Sequence, residues 1–331
     1  MSDRRISRRK FIAVAAGAAM SPVGAQAQQQ SGRIPHIAYL GVGSPSVLDP
    51  PHIEQLKQGL AEHGLVEGRN IVVEYVWAEG DTDRIHQLAR DLAQRNLDVI
   101  VTAGPQPVRA LVATKTKTPI VFAVLSDPVG DGIIESLARP GGNVTGLSMA
   151  NSKLESKRLE ILRDAFPALK RVAILHDPTM GNSGLDDAQS GARALSLEAL
   201  IFETNDPAQF AAIFAEAADK RANGLAVMAS PLFYFHRSPL IDLAAQHRLP
   251  SIWEAAAYVK DGGLLSYGPS FPDMYRRAAG YVAKILSGAR PNDLPVEQPI
   301  KFELAINMKT ARSLGVDISP ALLARADVVI E

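Results

Sequence analysis

The sequence predicts an α/β protein of two doubly wound, Rossmann-like lobes. Three observations carry that expectation. Short, continuous apolar runs rich in Val, Ile and Ala alternate with segments whose apolar residues recur at helical spacing, the pattern of a mostly parallel sheet covered on both faces. The alternation starts afresh near residue 150. A chain of 331 residues is long for one hydrophobic core and ordinary for two domains.

The first half opens with a strand over 36–42, HIAYLGV, closed by the turn Gly43-Ser44-Pro45. A helix follows over 51–65, with Ile53, Leu56, Leu60 and His63 on one face and Gly64 as its stop. The run 71–79, IVVEYVWAE, is a second strand by its β-branched content. Residues 81–96 form a helix that buries Ile85, Leu88, Ala89 and Leu92. Strand 98–104 leads into a helix over 105–114, whose first-turn proline sacrifices an N–H that has no helical partner anyway. Strand 119–125, a helix over 132–138 and a short strand over 143–147 complete this half.

The rhythm then repeats. A helix over 154–166 precedes a strand over 171–176, which Asp177-Pro178 ends. Helix 185–197, a weak strand over 200–204, helix 208–218, strand 224–229, helix 237–248 and strands over 250–253 and 262–267 follow. Helix 271–286 turns Met274, Ala278, Tyr281, Val282 and Ile285 inward. A proline-rich connector spans 287–300, then a strand over 302–306 and a helix near 310–314. The tail 319–330 packs on a lobe, because Leu322, Leu323, Val328 and Val329 require burial. Ligands of open α/β sheets bind beyond the carboxyl ends of the strands, so two lobes with those ends facing each other enclose a ligand cleft that closes by hinge motion.

Residues 1–27 read as a cleaved secretory signal: a basic start with Arg4, Arg5, Arg8, Arg9 and Lys10, an apolar run over 11–20 too short for a membrane span, and Ala25-Gln26-Ala27 placing cleavage before Gln28. Ser7-Arg8-Arg9-Lys10-Phe11-Ile12 resembles the twin-arginine address of a pathway for folded proteins, and a basic start also serves ordinary export. The sequence therefore places the mature chain in the periplasm. The 35 basic and 35 acidic residues balance overall; beyond residue 27 the formal charge is −4, with no basic field for nucleic acid or an anionic membrane. The absence of cysteine excludes disulfides, thiolate metal sites, cysteine nucleophiles and a lipidated anchor. Seven scattered histidines form no HExxH, and there is no GxSxG elbow, no GxGxxG fingerprint, no P-loop and no carboxylate cluster at calcium-loop spacing. An enzyme, a metal and a cofactor are accordingly not expected.

Several segments carry a family resemblance: ARPGGNVTG at 138–146, GGLLSYG at 262–268 and PVEQPIKFELAINMKTA at 295–311, with PIVFAVLSDPVG, RVAILHDP and RADVVIE around them. From about residue 37 to the end the chain resembles the ABC-transporter substrate-binding family described as tryptophan/tyrosine-transport-like. That resemblance implies a type I periplasmic-binding-protein fold in which the chain crosses between lobes three times. It implies an N-terminal lobe of 33–147 plus 270–298 and a C-terminal lobe of 148–269 plus 299–331. It implies capture of a small amino-acid-like or aromatic solute by a monomer, and transient delivery to a membrane permease, with no nucleic acid and no membrane insertion of the mature chain. A solute sensor or chemoreceptor-coupled binding protein would share the same fold and leader.

The loops after strands supply the candidate binding residues: Ser44, Gly104, Pro105, Gln106, Ser126 and Asp127 in the first lobe, and Asn182, Ser230, Tyr234, Glu254 and Tyr267 in the second. Gly104 precedes a helix whose N–H groups suit a carboxylate. Asp127 has two readings, an acceptor for a ligand amine or the cap of the turn it begins. Tyr234 and Phe233 stack on a solute or pack beneath a loop. Tyr267 lines the cleft or packs the hinge. Ser148, Gly268 and Pro299 are the hinge candidates.

Overall fold

In the computed structural model, which describes residues 33–44, 50–149 and 154–331, two sheets form, whose central strands are short and buried on both faces. The signal read from residues 1–27 lies outside the described residues.

The first sheet holds β1 (His36–Gly41), β2 (Val72–Trp77), β3 (Val99–Thr102), β4 (Ile120–Leu125) and β5 (Val144–Ser148), all parallel, in the order β2-β1-β3-β4-β5. Helices α1 (Pro50–Glu62), α2 (Thr82–Ala93) and α3 (Pro105–Ala113) connect them. β1 shows why its sequence is apolar throughout: Ile37 and Tyr39 join one buried cluster, Ala38 and Leu40 the cluster on the opposite face.

The second lobe runs α4 (Leu154–Ala165), β6 (Arg171–His176), α5 (Ser183–Ala194), β7 (Glu198–Glu203), α6 (Phe210–Asp219), β8 (Gly224–Val227), α7 (Pro231–Phe235), α8 (Arg237–Gln246), β9 (Ser251–Trp253), α9 (Ala256–Lys260) and β10 (Leu265–Pro269). The chain then returns to the first sheet as α10 (Phe271–Leu286). It crosses back for β11 (Phe302–Asn307), α11 (Met308–Leu314), α12 (Pro320–Leu323) and β12 (Val328–Ile330). The second sheet has the order β12-β11-β10-β9-β8-β6-β7, parallel except where β11 meets β10. The chain thus passes between lobes three times, after β5, after β10 and after α10.

α10 is held on the first lobe by close packing with α1. A Cβ built on Gly59 would stand 2.3 Å from the Arg276 carbonyl oxygen, so only glycine allows this approach. The first and third crossings are tied together: Ser148 N donates to the Glu297 carbonyl at 2.9 Å and Glu297 N to that of Gly146 at 3.2 Å. Of the hinge candidates, Ser148 ends β5, Gly268 lies in β10 and Pro299 lies in the third crossing. Gly268 leaves room for a neighbour: a Cβ there would sit 1.9 Å from the Glu254 carbonyl oxygen.

Three details depart from the sequence reading. Residues 132–138 form turns and no helix; Gly132, Gly141 and Gly142 sit at φ +66°, +73° and +61°, and only Ile134 and Pro140 of 132–140 are buried. His63 is exposed at the frayed end of α1. In the tail, Leu322 is buried and Leu323 partly so, but Val329 is exposed, because β12 is an edge strand whose middle residue faces outward.

Candidate functional site

In each sheet the strand order reverses, between β1 and β3 in the first and between β6 and β8 in the second. The chain leaves adjacent strands in opposite directions there, opening a crevice at the carboxyl ends. The two crevices face each other. Val42 and Gly43 after β1, Ala103, Gly104 and Pro105 after β3, and Ser126 after β4 look across at Met180 beyond β6, Ala229, Ser230 and Pro231 after β8, and Glu254 after β9. The space between them, counting the part open to solvent, measures about 690 Å³. The lobes approach closely at its rim: a Cβ on Gly104 would lie 3.4 Å from the Pro231 ring, and the His52 and Tyr234 rings are 5.9 Å apart.

Rings make most of the wall. His52, on α1, stacks on Tyr275 with centroids 4.9 Å apart and planes 15° from parallel. The Tyr275 hydroxyl lies 3.1 Å from that of Tyr39 on β1. Phe271 and Tyr275 occupy adjacent turns of α10, so both project to the same side. Because α10 begins right after the second crossing, that first turn sits at the mouth of the cleft. Tyr234 and Phe235 of α7 close the opposite wall, with Tyr234 5.9 Å from Phe271.

The polar groups differ between the lobes. The first offers Ser126, half-buried, and the amino end of α3. That helix end is poor in donors: Gly104 N already donates to the Val124 carbonyl at 2.8 Å, and Pro105 and Pro107 carry no N–H, which leaves Gln106 N of the four first donors. The second lobe offers buried charge. Glu254 is 3 % exposed, and burial pushes its carboxyl up to about 8, against the pull of nearby Arg158. Ser230 caps α7, its hydroxyl donates to Asp177 Oδ2 at 2.6 Å, and its backbone hydrogen-bonds the Glu254 carboxyl. Behind Glu254, on α4, Arg158 pairs with Glu155 and donates from Nε to the Tyr267 carbonyl at 2.7 Å. All three side chains are buried.

Of the residues read from the sequence, Gly104, Pro105, Ser126, Ser230, Tyr234 and Glu254 line this cavity, and Ser44, Gln106, Asp127, Asn182 and Tyr267 do not. Asp127 instead closes its own turn, accepting from Gly130 N at 2.8 Å. Asn182 is exposed at the start of α5 and makes no side-chain cap there; two residues earlier Met180 reaches the cavity. Tyr267 stacks on Phe302 in the second lobe, and Phe233 is core, edge-on to Phe210. Sequence reasoning missed Tyr39, His52, Phe271, Tyr275, Phe235 and Met180. The pair 271 and 275, two rings one helical turn apart immediately after a crossing, was the legible signal. Among the described residues no group of His, Asp and Glu is placed to hold a metal ion, and no helix is long and apolar enough to cross a membrane.

Comparison with known proteins fits this architecture. Residues 51–330 match the family described as "ABC transporter substrate binding protein". The chain belongs to that family. Within reach of this substrate-binding chain is a "Tyrosine-binding protein" of Clostridioides difficile, 22% identical over 281 residues, 83% of this chain and 81% of that one. Two solved structures superimpose at a TM-score of 0.84 over 90% of this chain and 100% of theirs. One is a conserved domain protein from Vibrio cholerae, 27% identical, and the other the ABC domain from Streptococcus pneumonia in complex with L-Trp, 23% identical. These neighbours share the type I periplasmic-binding-protein fold, with the two parallel-sheet lobes described above.

Proposed function

We propose that this substrate-binding protein is the exported solute receptor of an ABC importer, and that its interlobe cavity takes an aromatic amino acid, which it hands to a membrane permease. The observation that carries the reading is the lining itself: Tyr39, His52, Tyr234, Phe235, Phe271 and Tyr275 surround one space into which a single buried carboxyl, Glu254, also faces. Rings offer a flat apolar solute broad contact at little entropic cost. Ser126 lies on the first-lobe side, where a ligand carboxylate is accommodated, and Glu254 on the other, where an ammonium is. The tyrosine-binding relative and the tryptophan-bound neighbour support this choice. A ligand that touches both lobes favours the closed form, so closure reports occupancy to the permease. In this reading the protein does no covalent chemistry.

Substrate-binding proteins of this family work outside the cytoplasmic membrane. The leader over 1–27, with its paired arginines and cleavage before Gln28, fits that placement, and with no cysteine the mature chain is untethered. A thermal-shift screen of the mature protein against amino acids, aromatic acids, nucleosides and sugars tests the ligand class, since a compound that binds only the native state raises its apparent stability. Aromatic amino acids are expected to give the largest shifts; a response confined to sugars overturns the reading.

A further inference from the structure

Among the described residues, the polar interior beneath the cavity holds more carboxyls than cations. Glu155 and Glu254 are two carboxyls, 3 % exposed each, and Arg158, fully buried, is the one buried cation beside them among the described residues. Arg158 pairs with Glu155 and gives its Nε hydrogen to the Tyr267 carbonyl, while its Nη2 is left without a hydrogen-bond partner. Asp177, also buried, adds a third carboxylate, satisfied by hydrogen bonds from Thr179 N, Thr179 Oγ1 and Ser230 Oγ. With all of them ionised the cluster would hold an uncompensated negative charge away from water, a costly arrangement.

The other groups around Glu254 do not make up the deficit. From α9, Tyr258 is fully buried, and burial keeps its hydroxyl un-ionised; that hydroxyl has no partner. From α7 comes Tyr234, whose ring carries the Arg237 guanidinium of α8 5.0 Å from its centroid; Arg237 itself is paired with Asp261. His176 ends β6 next to Asp177, with Nε2 unpartnered, and Ser266 of β10 leaves its hydroxyl unpartnered. Across the cavity stands His52, stacked on Tyr275.

We propose that Glu254 is the group that selects for a positively charged nitrogen on the solute, and that it takes up that charge by giving up its own proton as the solute binds. In the empty cleft the carboxyl is neutral. When an ammonium enters, the carboxyl O–H bond breaks, the proton leaves through the open side of the cavity to solvent, and the carboxylate accepts an N–H from the ammonium. The solute thereby supplies a cation beside the Glu254 carboxylate as that carboxylate forms. The raised proton affinity that burial gives Glu254 agrees with a neutral empty state. This rests on the reading of the cavity as an aromatic amino-acid site, and it adds the property that such a ligand must carry a cation.

The test is calorimetric titration of the mature protein with L-tryptophan and L-tyrosine in buffers of different ionisation enthalpy, from pH 5.5 to 8, with indole-3-propionate as the probe that lacks the ammonium. Release of about one proton per ligand is expected near pH 6.5, with affinity rising about tenfold per pH unit below the carboxyl's transition. Indole-3-propionate should bind more weakly than L-tryptophan and release no proton. Glu254→Gln should abolish the release and flatten the pH profile while leaving the fold intact by circular dichroism; His52→Asn, across the cavity, should keep the release. Should L-tryptophan bind with no proton exchanged, or should Glu254→Gln release as before, the proposal falls and the ligand reading stands. Should no aromatic amino acid bind at any of these pH values, both fall.

Discussion

The two edges that face each other across the cleft are built by opposite means. The first lobe presents backbone and small groups: Gly43, Gly104, Pro105 and a half-buried Ser126, with its rings supplied by Tyr39, α1 and α10. The second lobe presents a buried polar network in which Glu155, Arg158, Asp177, Ser230 and Glu254 are each 3 % exposed or less. A surface of the first kind adapts cheaply, because nothing charged is desolvated when it closes on a ligand. A surface of the second kind carries its desolvation cost already in the folded state, so its groups are preorganised, and loss of any one exposes the others. On the proposed reading, affinity for the flat body of a solute comes from the rings around the cavity, and discrimination by the ammonium charge from the second lobe.

The sharpest way to break that asymmetry is Arg158→Ala. Arg158 is a buried cation that pairs with Glu155 beneath Glu254, and removing one member of such a network costs about 3–5 kcal/mol. The loss should fall on the second lobe. In denaturant-dependent hydrogen exchange, amides of β8, β9 and β10, the strands that α4 covers, should lose protection, while those of β1, β3 and β4 keep theirs. Equal loss in both lobes would mean that the lobes unfold as one unit and that the network supports more than its own sheet.

How much of this was open to reading from the sequence follows the same divide. The strands and helices were legible because parallel strands buried on both faces are continuous apolar runs, as in PIVFAVL at 119–125, and those runs alternate with helical spacing. The loop-borne residues nearest strand ends, Gly104, Ser126, Ser230 and Glu254, were legible because sheet geometry puts strand ends at the crevice. The segment 132–138 misled because Ile133, Ile134 and Leu137 mimic one helical stripe, while the glycines that impose turns lie at and beyond its ends. Two of the rings were not legible. Tyr39 sits inside a strand whose other residues are core, and His52 sits on a helix, so neither differs in sequence from an ordinary packed side chain. Arg158 reads as one more basic residue of an amphipathic helix; its burial depends on Glu155 one turn back and on a carbonyl more than a hundred residues away.

A smaller effect sharpens the comparison through pH. The Glu254 carboxyl moves from an ordinary 4.5 to about 8 in the folded protein. Between those values the folded state holds a proton that the unfolded chain has lost, so the unfolding free energy of the ligand-free protein falls as pH rises through that window and levels off above it. Urea unfolding of the wild type and of Glu254→Gln at pH 5.5, 6.5 and 7.5 isolates this contribution as the difference between the two. Glu254→Gln should gain relative to the wild type with each step upward. A difference that runs the other way would mean that Glu254 is ionised in the empty cleft and that Arg158 already compensates it.

The smallest expected effect tests the first lobe. Ser126 and Asp127 are neighbours in sequence with the same apparent credentials, a polar side chain in the loop after a strand. The fold separates them: Ser126 lines the cavity, while Asp127 turns back to accept from Gly130 N, and Gly130 packs so closely that a Cβ there would lie 2.3 Å from Asp127 Oδ2. Ser126→Ala should therefore weaken aromatic amino-acid binding by the worth of one neutral hydrogen bond, about 0.5–1.5 kcal/mol or roughly three- to tenfold in Kd. Asp127→Ala should leave Kd unchanged and lower the melting temperature slightly, through loss of the turn's acceptor. Because the substitutions sit one residue apart, any general loosening of the loop would strike both alike, so a split between affinity and stability identifies contact with the ligand. A loss of affinity in Asp127→Ala equal to that in Ser126→Ala would instead show that the turn rearranges on closure, and that the first lobe too brings a charge to the solute.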